Sequence, residues 1–168
     1  RVLFVGDPGT RIAEDFLRIL RFFRIHAHFG VGPPDSGALA ACAVHAEKLE
    51  TLSAERIVGE LLRLLAAPDP AMVMALMDEE SVLAHVLPEA TNFDRLAGLT
   101  SLDGVDPDPV RRLAAVVTGD AGVMEALARI VHRRGPGGCR LRAASGAEEK
   151  VPDSVFSVLS HFASRCEP

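Results

Sequence analysis

Cysteine is scarce in this chain, and its placement excludes more than its number does. Cys42, Cys139 and Cys166 are odd in count and far apart. They form neither a metal-ligand pattern nor a disulfide framework. A reducing, cytoplasmic setting is the default expectation for such a chain. Long apolar runs are missing too. None approaches the ~20 residues that a membrane-crossing helix needs, and no signal peptide is visible. HExxH, Walker A and CxxC patterns do not occur. None of the six histidines is followed by Asp, so an HD-type metal phosphohydrolase has no support. Gly135-Pro136-Gly137-Gly138 carries proline and is ill placed for a phosphate-binding loop.

An excess of positive charge is lacking as well: the net charge is −5. Its distribution is uneven, however. Residues 1–30 hold five Arg against three acids, and residues 126–147 hold five Arg and no acid. Two basic ends on an acidic body fit an electrostatic footprint for RNA. They also fit ordinary surface charge. At 168 residues there is room for one domain, or for two small helical units sharing a core. The first residue, Arg1, stands inside what reads as an extended segment, so a fragment of a longer polypeptide is expected.

Helical periodicity dominates, with no convincing alternation of period two. The expected fold is all-α, a multi-helical array of antiparallel helix pairs without a sheet. A first helix is predicted from about Thr10 to His28. Ile12, Phe16, Ile19, Leu20, Phe23 and Ala27 share its core face, and Arg11, Glu14, Asp15, Arg18 and Arg21 the opposite one. Further helices are predicted from Asp35 to Leu49, from Ser53 to Leu65 with the Ser53 hydroxyl as cap, and from Pro70 onward. Pro88 ends a short helical stretch. Asn92 to Leu102, Asp106 to about Val117 and Asp120 to about Arg133 complete the set. Residues 155–162 form one more weak amphipathic pattern.

The candidate site sits on the first helix. A carboxylate at 15 and a guanidinium at 18 lie one helical turn apart in this reading, on one face. Acidic acceptors beside a planar fork of donors can read a nucleobase edge. The same pair also makes an ordinary surface ion pair. Arg21 borders this face and can approach a phosphate. Arg24 lies nearer the other side, where an inter-helix ion pair serves equally well. His26 and His28 suit the negative end of the helix, with contact to RNA phosphate as the alternative. Asp106-Pro107-Asp108 contains a bare Asp-x-Asp, but Asp caps and Pro initiates at a helix start.

The run VGDPxxRIxEDxLRxLRxxR, Val5 through Arg24, resembles the neck region of bacterial CCA-adding tRNA nucleotidyltransferases, in the group that includes bacterial poly(A) polymerases. Leu52 through Leu61 is similar to the SxERIxxEL neck helix of that family. Residues 66–70 and 82–89 look like its body entry. The resemblance covers roughly residues 1–130. It implies a neck domain at 1–67, a helical body at 68–134 and a divergent tail at 135–168.

By this resemblance, Asp15 and Arg18 would read the incoming CTP or ATP, with Glu14 in support. Glu55 and Arg56 would brace their helix. Apart from the resemblance, which fades after about Ile130, the basic run of Arg129, Arg133, Arg134, Arg140 and Arg142 can touch tRNA backbone; a flexible basic tail without a fixed role fits at least as well. The partners implied are the 3′ end of tRNA and an N-terminal head domain. The Mg²⁺ of catalysis would be bound in that head, after a Gly-Ser signature that this chain lacks. The chain alone is therefore expected to bind no metal and to be inactive. The alternatives are a non-catalytic helical RNA-binding module and the neck and body of a bacterial poly(A) polymerase.

Overall fold

The computed structural model describes residues 1–102 and 107–117. Seven α-helices are present there: α1 (Pro8–Glu14), α2 (Arg18–Phe29), α3 (Ser36–His45), α4 (Ala54–Leu65), α5 (Pro70–Glu79), α6 (Phe93–Leu102) and α7 (Pro109–Val116). Short 3₁₀ turns at Ala46–Thr51 and Leu83–His85 follow α3 and α5. Among the described residues there is no strand, and the fold is all-α. A single antiparallel bridge joins Ala90 to Val117. No described helix is long and apolar enough to cross a membrane. The predicted helix from Asp120, the weak pattern at 155–162 and the tail lie outside the described residues.

Local chemistry starts most of these helices. Asp7 accepts from the Thr10 amide at 2.8 Å and the Thr10 hydroxyl at 2.6 Å, and Pro8 needs no amide partner. Asp35 caps α3 through the Ala38 amide at 2.9 Å. Asp108 takes the Val110 and Arg111 amides ahead of Pro109, which is the capping role expected of it. Asp106 is outside the described residues. At Ser53 the expectation fails, because its hydroxyl makes no capping bond. The Ser53 carbonyl instead accepts the Arg56 and Ile57 amides. The predicted helix 35–49 is also shorter than expected, tightening into the 3₁₀ turn after His45.

The largest departure is at the first predicted helix, which is two helices. Asp15 leaves the helix with φ −157° and ψ 104°. Its side chain accepts the Leu17 amide at 3.2 Å, and its carbonyl accepts the Arg18 amide at 3.0 Å. Asp competes with the helix for its own backbone in this way. Ile12, Ile19, Leu20 and Phe23 are nonetheless buried as expected, and Leu17, Phe22 and His26 join them.

Helix α1 packs on α3, and α2 on both α4 and α5. Helix α6 lies between α5 and α7, and α7 returns to α4. One hydrophobic cluster runs from Ile12 to Val117, including Leu49, Leu64, Leu65, Met74, Met77 and Leu96. It continues across position 67, where the neck was expected to end. A buried Arg112 ties the two parts together. Its Nη1 donates to the carbonyls of Leu65 and Ala67, both at 2.7 Å, at the end of α4. A guanidinium at a helix C-terminus meets the negative end of the helix dipole.

Candidate functional site

The break between α1 and α2 gathers charge at one place. Glu14 ends α1, Asp15 stands in the joint, and Arg18 opens α2. The expected juxtaposition of Asp15 and Arg18 on a single helical turn is therefore not what the chain adopts. Each is held by a different partner. Arg18 Nη1 donates to Glu14 Oε2 at 2.6 Å and to the Arg11 carbonyl at 2.7 Å. Arg11 Nη1 reaches the same Glu14 oxygen at 2.6 Å. Asp15 Oδ1 accepts from Arg56 Nη2 of α4 at 2.8 Å, and Arg21 Nη1 lies 3.8 Å from Oδ2. Both bonds of Arg18 run from one terminal nitrogen. Both side chains remain about one quarter exposed.

These contacts keep the carboxylates ionised. Partial burial alone would raise the Asp15 carboxyl. The Arg56 and Leu17 hydrogen bonds, with the charges of Arg56 and Arg21, more than offset this and hold it below the usual carboxylate range. The bond from Arg18, then that from Arg11, lowers Glu14. An ionised Asp15 is acceptor-only, and Arg18 is donor-only.

The remaining residues singled out in the sequence have separate surroundings. Arg56 grips Asp15 across 41 positions of sequence. Glu55 is exposed in the first turn of α4. Arg24 makes an inter-helix ion pair. His26 does not serve the helix end as a cation: it is 6 % exposed, and burial lowers its pKa, which favours the neutral ring. His28 instead bonds the Arg63 carbonyl through Nε2 at 2.8 Å. Arg129, Arg133 and Arg134 lie outside the described residues.

Glu60 is the residue that sequence reasoning missed. It is 3 % exposed, and three guanidinia converge on it. Arg24 Nε is 3.2 Å from Oε2, while Arg63 Nη1 and Arg21 Nε are 3.1 Å and 3.6 Å from Oε1. The available signal was an acid among Ile57, Leu61 and Leu64 on the buried side of α4. Arg21 links this cluster to Asp15, so α2 and α4 share one continuous set of ion pairs. Among the described residues no three His, Cys, Asp or Glu side chains gather as metal ligands.

An all-helical unit with a charge cluster at a helix joint belongs to no single activity by shape alone. Comparison with known proteins narrows the class. Residues 35–94 match the family described as "Probable RNA and SrmB- binding site of polymerase A". "CCA tRNA nucleotidyltransferase 1, mitochondrial" of Mus musculus is 33 % identical over 120 residues, which cover 69 % of this chain and 28 % of that protein. Its Homo sapiens counterpart matches to the same extent. The "Multifunctional CCA protein" of Burkholderia mallei (strain SAVP1) is 34 % identical over 104 residues, 62 % of this chain and 24 % of that protein. The chain belongs to the family of CCA-adding tRNA nucleotidyltransferases and poly(A) polymerases. It spans about a quarter of the length of the curated relatives it matches.

Proposed function

We propose that this chain is the base-selecting and RNA-holding part of a CCA-adding tRNA nucleotidyltransferase, working in the cytoplasm. Asp15 and Arg18 select CTP and ATP, and the helical body holds the tRNA acceptor end. One observation carries the reading. Asp15 and Arg18 are each fixed by partners of their own, both ionised and both partly exposed, at one helix joint.

The chemistry of the pairing edge follows from donors and acceptors. Cytosine and adenine each offer an amino donor beside a ring-nitrogen acceptor. Uracil and guanine reverse that order. An Asp that accepts and an Arg that donates match the first two and oppose the others. Bidentate base contacts of this kind discriminate by ~1–3 kcal/mol each. A mismatched base leaves desolvated groups unpaired, which steepens the rejection.

Glu14 positions Arg18, and Arg56 positions Asp15, so the pair needs little reorganisation when a base arrives. Arg21, whose guanidinium lies beside Asp15 and Glu60, is assigned in this reading to a phosphate of the nucleotide. Nucleotidyl transfer also needs Mg²⁺. The proposal assigns its ligands to a head domain rather than to these helices, and the helical unit by itself is then inactive.

The test uses the complete enzyme, tRNA lacking its 3′ end, and each of the four nucleoside triphosphates in turn. Asp15→Ala and Arg18→Ala are expected to relax or abolish the preference for CTP and ATP, with the fold intact by circular dichroism. Unchanged selectivity in both variants rules the reading out. Runs of A as the product would assign the chain to the poly(A)-adding branch instead.

A further inference from the structure

The far end of α2 carries a feature that base selection does not use. Phe29, the last residue of α2, is 75 % exposed. It borders a hollow of about 370 Å³ together with Arg24, Ile25, His28, Arg63 and Ala66. The rings of His28 and Phe29 lie 5.8 Å apart at 37°. Guanidinia from α2 and α4 flank the hollow, and no acid lines it.

The charge of this seam is not balanced. Glu60 faces Arg21, Arg24 and Arg63, and Asp15 faces Arg56. Four guanidinia thus share these two carboxylates; with the exposed Glu55 of α4 counted as well, the seam keeps a surplus of one positive charge on a chain whose net charge is −5. Arg56 and Arg63 are seven residues apart on α4, which places them two turns, about 10 Å, along one helix. The surplus therefore runs from the Asp15 joint to the Phe29 hollow.

We infer that the seam between α2 and α4 tracks the backbone of a single RNA strand, and that the Phe29 hollow stacks one of its bases. A positive groove ending in an exposed aromatic is the arrangement that binds single strands without reading their sequence. An apolar protein partner would have no use for the surplus charge. A duplex keeps its bases stacked internally and would leave Phe29 unused. The inference rests on the proposed role in tRNA processing and adds to it a strand-holding subsite on the opposite end of α2.

The experiment is fluorescence anisotropy of the intact chain with a short, labelled, single-stranded oligoribonucleotide across a salt series. Phe29→Leu keeps apolar bulk and removes the stacking face. It is expected to weaken binding about fivefold or more, while Phe29→Trp retains it. Arg63→Gln is expected to reduce the slope of log affinity against log salt by about 0.7. Both positions are exposed, and melting curves confirm that the variants are folded. Unchanged affinity in Phe29→Leu with an unchanged salt slope in Arg63→Gln overturns the inference. So does a failure of the intact chain to bind the strand. So does a dimer, seen by light scattering, that Phe29→Leu dissolves without altering RNA affinity. None of these outcomes touches the nucleotide selectivity of Asp15 and Arg18, which is measured separately.

Discussion

At the scale of single residues, buried polar groups distinguish this chain from a generic helical array. Glu60 is costly to bury as a carboxylate unless it is paired. Three partly exposed guanidinia from two helices compensate its charge, although its Oε2 accepts no hydrogen bond and has only the nearby charge of Arg24. The pairs are of little worth for stability individually, but they fix how α2 lies on α4. His26 has no such compensating charge. Its Nδ1 is buried without a hydrogen-bond partner, and the ring stacks on Phe22 with centroids 6.5 Å apart.

Burial depresses the His26 pKa below its ordinary value. The unfolded chain therefore binds a proton near pH 6.5 that the folded chain refuses. Stability is full above that pH and falls as pH drops toward the folded pKa. The melting temperature is expected to decline between about pH 7 and pH 5, and His26→Gln to flatten that slope. Thermal melts across this range decide it; an equal slope in the variant would count against burial as the cause.

At the scale of elements, the sequence was most legible where the signal is local. Pro70 opens α5 and Asp108-Pro109 opens α7 where expected, because capping and proline chemistry act within a few residues. The break at Asp15 was not legible. Ile12, Phe16, Ile19 and Phe23 keep a helical spacing straight across it, so periodicity reports one helix. The bonds that hold the break come partly from Arg56, a residue on another helix. The closing turn of α5 escaped for a similar reason. Ser81 takes φ +60°, and the Val82 amide reaches the Met77 carbonyl at 2.8 Å, a left-handed closure that usually recruits Gly or Asn.

Gly30, which ends α2, was legible as a breaker, but its packing role was not. A Cβ at Gly30 would collide with the Nδ1 and carbonyl oxygen of His26 and lie 2.6 Å from its Cε1. Backbone and a buried ring cannot both move aside. Gly30→Ala is therefore expected to destabilise the chain by about 1–3 kcal/mol through overpacking, read as a lowered urea midpoint. A midpoint equal to that of the parent would show that the last turn of α2 yields freely.

At the scale of the whole molecule, the all-helical class was readable from periodicity, and the family from Val5–Arg24 and Leu52–Leu61. What joins the helices was not. Arg112 sits among Val110, Leu113 and Ala114 on α7, and an arginine there reads as a surface residue. Its partners are carbonyls 45 and 47 positions away, which no local pattern announces. Arg112→Met keeps the bulk but leaves two buried carbonyls without this donor. Hydrogen bonds from a charged group are worth roughly 1.5–3 kcal/mol each. A loss of about 2–4 kcal/mol in urea unfolding is expected. Because one core spans α4 and α7, the variant should still unfold in a single transition. Two separated transitions would show instead that the chain on either side of position 67 melts independently.

The interruption at Asp15 has a consequence for tolerance. A straight rod fixes the span between two of its side chains by its pitch alone. Here the acceptor sits at an elbow whose arms rest on different supports, α1 on α3 and α2 on α4. The gauge between acceptor and donor is thus an angle set by remote packing. If the pair selects a base as proposed, repacking small buried residues of α3 such as Ala38 or Cys42 would widen or narrow what it admits while both side chains stay unchanged.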